Sequence, residues 1–74
     1  MTTLFDMPVG STFRATSPDG VIQFQGKKLS DDTVLITKQA DSFVPPDGYE
    51  AQLAQIQEAC DASGYEIFQY KPKP

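Results

Sequence analysis

The chain reads as a small single-domain α+β fold of order β-β-β-α-β: an antiparallel meander, a helix packed on one sheet face, and a C-terminal strand. Three observations predict it. Short β-branched and aromatic runs of period two, each bounded by Gly, Pro, Asp or Ser, fill the first half. An apolar repeat near 3.6 residues then spans the stretch between Pro46 and Gly64, and a last aromatic, β-branched run follows it. With 74 residues and 8.1 kDa there is room for one core, so residues 1–70 form one domain. Lys71-Pro72-Lys73-Pro74 is expected to be an extended, solvated tail, because its prolines cannot join a sheet ladder.

Taken in order, Ser11–Thr16 sets Phe13 and Ala15 on one strand face, and Ser17-Pro18-Asp19-Gly20 carries Pro and Gly where a hairpin turn uses them. Val21–Gln25 alternates Ile22 and Phe24 with Gln23 and Gln25, and Gly26 offers a bulge before Lys27-Lys28-Leu29. Ser30-Asp31-Asp32 is a second turn, and Thr33–Lys38 is apolar and β-branched enough for a central strand. Periodicity stops from Gln39 to Pro46. Pro45-Pro46 bars a helix before Asp47, which with Glu50 makes a capping-box-like pair. Tyr49, Leu53, Ile56 and Cys60 recur at helical spacing, which predicts a helix from Gly48 to Ser63 ended by Gly64. Tyr65–Tyr70 is the closing strand. After three strands and a helix it runs in the sense of the first and third, so parallel pairing at a sheet edge is expected. An alternative lets the meander curl into a half-barrel, with a short added strand at Leu4–Val9.

Composition narrows function towards binding. The chain has no His, no Trp and one Cys, which leaves general acid–base, metal and nucleophile chemistry nearly without parts. The lone candidate nucleophile, Cys60, lies beside Glu58 and Asp61, which disfavour its thiolate, and reads as a core residue. The five glycines are scattered, so no phosphate-cradling loop exists, and Asp31-Asp32 lacks the spaced oxygen ligands of a calcium loop. We therefore expect no enzyme, no cofactor and no metal. A net charge of -4 and a pI near 4.4 repel phosphates and anionic membranes. No run reaches the roughly 18 apolar residues of a spanning helix. The opening Met1–Asp6 has no basic region followed by an apolar stretch, and one unpaired Cys suits a reducing compartment. The expected location is the cytoplasm, of the host if the chain is viral.

Acid is localised. Asp41, Asp47, Glu50, Glu58, Asp61 and Glu66 lie in a stretch without a basic residue. On a helix begun at Gly48, Asp47, Glu50, Glu58 and Asp61 fall within an arc of roughly 80°, opposite the apolar stripe. That ridge, with Ala54 and Gln57, reads as a docking face for a partner protein with a basic surface. The plainer reading is a solvated face that keeps an acidic protein soluble. In size and charge the chain resembles short acidic accessory proteins of the kind phages encode to block a host protein. The resemblance implies an inhibitor of a nucleic-acid-handling partner.

A second reading uses Arg14, Lys27, Lys28 and Lys38 on the meander, near Phe13 and Phe24, as a small nucleic-acid-binding surface. Against it, the alternation sends Phe13 and Phe24 to the core, and edge lysines also block unwanted strand pairing. Phe43-Val44-Pro45-Pro46 is expected to close the core, with Phe43 as an alternative partner contact. A third reading is a homo-oligomeric assembly subunit, paired through an edge strand or the Tyr65/Phe68/Tyr70 surface.

Overall fold

The computed structural model describes residues 3–70, so the expected tail at 71–74 lies outside the described residues. Five strands, β1 (Thr12–Thr16), β2 (Ile22–Lys28), β3 (Thr33–Gln39), β4 (Tyr49–Gln52) and β5 (Glu66–Tyr70), form one sheet with a single helix, α1 (Leu53–Ser63). The sheet order is β4-β3-β2-β1-β5, and every neighbouring pair is antiparallel. The α+β class, the meander and the helix on one face agree with the pattern read from the sequence.

Turn chemistry sets the connections. Gly20 N donates to Ser17 O at 2.9 Å, closing the first hairpin, and Ser17 Oγ donates to Asp19. That hydroxyl, then the Val21 amide, holds the Asp19 carboxyl below its usual range. In the second hairpin the Ser30 and Thr33 hydroxyls do the same for Asp32. The bulge expected at Gly26 is present as a register shift between Gln25 and Gly26, and another falls between Ala15 and Thr16.

Two expectations are corrected. Residues 49–52 are a strand, and the helix begins only at Leu53. The chain reverses at Pro45-Pro46-Asp47-Gly48, where Gly48 N donates to Pro45 O at 2.8 Å and Gly48 holds φ +77°. Tyr49 and Ala51 then pair with Ile36 and Val34 on the core face, so period-two burial wins over the helical spacing. Asp47 therefore caps nothing; at the true start Gln52 makes no side-chain cap, and Leu53 N donates to Asp32 O at 2.8 Å. The second correction follows from the first. An added strand inverts the direction of everything after it, so β5 runs antiparallel to β1.

Phe13, Ala15, Val34, Ile36, Leu53, Ile56, Cys60 and Ile67 make one core with Leu4 and Met7. Residues 4–9 form turns, not the short strand of the half-barrel alternative. Two side chains fasten them. Gln57, buried on α1, accepts from Leu4 N at 2.8 Å, and buried Lys28 donates from Nζ to the Phe5 and Met7 carbonyls at 3.2 and 2.7 Å. Gly64 ends the helix in the left-handed conformation at φ +72° with Tyr65 N on Cys60 O, as its position predicts.

Candidate functional site

The acidic ridge does not form as one helix face. Asp47 sits in the turn before β4, and Glu50 is on β4 beside Leu35 on the sheet face away from the helix. Only Glu58 and Asp61 are on α1, both exposed. Gln57, expected at the docking face, is buried instead, with Oε1 on Leu4 N and Nε2 donating to Asp61 Oδ1 at 2.9 Å.

The fold builds a different acidic feature nearby. Between the last turns of α1 and β5 lies a cavity of about 560 Å³, lined by Gln57, Asp61, Gly64, Tyr65, Glu66 and Phe68 among others. Asp61 reaches it from the helix and Glu66 from the strand. The carboxyl end of α1, which carries the negative pole of the helix dipole, opens beside it with no basic residue in the last turn. Glu66 belongs to the acidic stretch read from the sequence but not to the expected ridge; the signal for it is its place two residues after Gly64, where the returning chain must pass the helix end. The Tyr65 ring meets Phe24 at 6.4 Å between centroids, which fixes the wall at that corner.

The basic residues separate. Lys28 is 2% exposed and holds two carbonyls, so it leaves the surface patch. Arg14, Lys27 and Lys38 stay on the uncovered face, because each alternates with or pairs across from residues that point away from the core. Arg14 lies opposite Gln25 and Phe68, and its Nε and Nη2 donate to Gln25 Oε1 at 3.3 and 3.2 Å. Lys38 pairs with Gln25, and Lys27 with Thr12 and Leu35. The aromatic beside these cations is Phe68, not Phe13, which is fully buried, nor Phe24, which faces the core rim. Phe43 does not close the core: at 86% exposure it stands out from the β3–β4 loop.

Cys60 is a core residue. Burial, then the Asp61 charge, pushes its thiol up to about 11, which removes the thiolate a nucleophile needs. Among the described residues no group of three or more His, Cys, Asp or Glu is placed to hold a metal ion, and no helix is long and apolar enough to cross a membrane. No protein-family model matches the chain, and no curated protein or solved structure matches it.

Proposed function

We propose that the chain is a non-enzymatic binding protein that holds a basic partner protein against the acidic surface of Glu58, Asp61 and Glu66 beside the α1–β5 cavity. The single observation that carries the reading is that concave, acid-lined cavity at the negative end of the helix. Asp47 and Glu50, on the far side of β4, contribute only to the long-range field that steers a basic partner. Occupying a partner's basic, nucleic-acid-handling surface would make the chain an inhibitor of the phage accessory kind. Its lone, buried Cys60 suits a reducing cytoplasm, of the host if the chain is viral.

Tagged protein, wild type and Glu58→Gln/Asp61→Asn/Glu66→Gln, should be used to recover partners from nuclease-treated lysate of its source cells at two salt concentrations. The reading expects a stoichiometric protein that survives nuclease, elutes with salt and is lost with the variant. Equal retention by the variant would overturn it.

The cross-strand register favours one second reading. Arg14, Lys27 and Lys38 lie together with Phe68 on the uncovered face, an arrangement that suits single-stranded nucleic acid. A gel shift at low salt tests it. Retardation lost in Arg14→Gln/Lys27→Gln supports it, and no shift at tens of micromolar protein contradicts it.

A further inference from the structure

We propose that the partner enters as an extended peptide segment carrying Lys or Arg, which adds a sixth strand to β5 and places its cations against Asp61 and Glu66. The inference rests on the acidic-surface reading and assigns its mode of binding. β5 is a sheet edge, so alternate residues of Glu66–Tyr70 turn N–H and C=O groups outward with no strand of the described residues beside them. Edge strands are commonly blocked by Pro, Lys or a bulge. The five residues of β5, EIFQY, contain neither Pro nor Lys, and their pairing with β1 runs without a register shift. The opposite edge, β4, is only four residues long and is led in through Pro45-Pro46, so it offers a poorer template.

The cavity lies along this edge. It is walled by Gln57 and Asp61 of α1 on one side and by the β5 residues Glu66, Ile67 and Phe68 on the other, Ile67 being the one that faces the helix. A peptide paired to β5 sends alternate side chains towards the helix, where the acidic group lining the cavity is Asp61, and the intervening ones to the uncovered side of the sheet, where Glu66 stands at the start of β5. Asp61 is already turned to the groove by the Gln57 amide, which occupies Oδ1 and leaves Oδ2 for a cation. The helix dipole adds to the same sign. Charge also selects the occupant. A second copy would bring its own Glu66 to this acidic edge, and like charges disfavour that pairing.

The test uses the full chain and a short fluorescent peptide of Val and Lys in consecutive pairs, which as a strand presents Lys to both faces, followed by anisotropy at low salt. Two control peptides are read beside it: one with Glu for Lys, and one with the Lys kept but alternate amides N-methylated. Strand addition expects saturable binding of the first peptide. It expects at least about tenfold weaker binding of the N-methylated one, which has lost its strand-pairing donors. It also expects no measurable binding of the Glu peptide. Asp61→Asn/Glu66→Gln, at two exposed positions, should weaken the Lys peptide roughly fivefold and flatten its salt dependence. Equal binding of the N-methylated peptide would overturn strand addition while leaving the acidic surface standing. Equal binding by the variant, or no binding of the Lys peptide at about millimolar concentration, would overturn both.

Discussion

Gly26 and Gly20 are required for different reasons, and the difference is measurable. A Cβ at Gly26 would stand 2.1 Å from the Leu35 carbonyl oxygen, inside the β2–β3 pairing, where backbone cannot yield. At Gly20 a Cβ meets nothing within 4 Å, and only φ +89° disfavours it. Gly26→Ala should therefore cost about 3 kcal/mol and Gly20→Ala about 1 kcal/mol in urea unfolding. Equal losses would contradict the close approach. Cys60 makes a second prediction. Its folded thiol titrates near 11 against an ordinary value of 9.0, so the folded state holds the proton more tightly. The resulting stability is complete below about pH 9 and is lost as pH rises towards 11. At pH 8 a thiol reagent should react with Cys60 only through unfolding, and Cys60→Ala should remove this alkaline slope.

At the scale of elements, β4 is where local pattern and fold diverge. Tyr49, Glu50, Ala51 and Gln52 satisfy both a helical spacing with Leu53 and Ile56 and a strict period of two. The deciding signal was the Pro-Asp-Gly triplet, which occurs twice, at Pro18-Asp19-Gly20 and at Pro46-Asp47-Gly48, and closes a turn each time. The meander, the Gly26 bulge, the Gly64 helix end and the buried Phe13 and Cys60 were legible because each rests on local stereochemistry. The direction of β5 was not, because it depends on the number of strands before it. Nor was the groove, because it joins residues from α1 and β5 that only the antiparallel return brings together. Lys28 deceived for a similar reason: its carbonyl partners come from residues 5 and 7, across a turn without periodicity. Gly48→Ala tests the β4 assignment. The new Cβ would lie 2.7 Å from Ile36 O at φ +77°, so the variant should lose about 2 kcal/mol. It should also speed amide exchange at Tyr49–Gln52 more than in β1 or β2. Uniform acceleration would mean that β4 is not a separable edge.

Across the whole molecule, the surface cations of the described residues gather on one face of the sheet, where Glu50 and Glu66 accompany them. α1 carries Glu58 and Asp61 and no cation, whereas Arg14, Lys27 and Lys38 occupy the uncovered sheet face. With a net charge of -4, the acidic side governs encounter with a basic partner, and the basic face is a local exception within that field. The two faces make opposite claims about which surface binds, and they share β5, whose Ile67 faces the core while Glu66 and Phe68 lie on the other side. The most direct measurement is a titration of isotopically labelled protein with the Val–Lys peptide, followed by amide chemical shifts. The account predicts that shifts concentrate at Gly64–Gln69 and the last turn of α1, with β5 amides gaining exchange protection. Shifts centred on Arg14, Gln25, Lys27 and Lys38, with β5 amides unprotected, would contradict it.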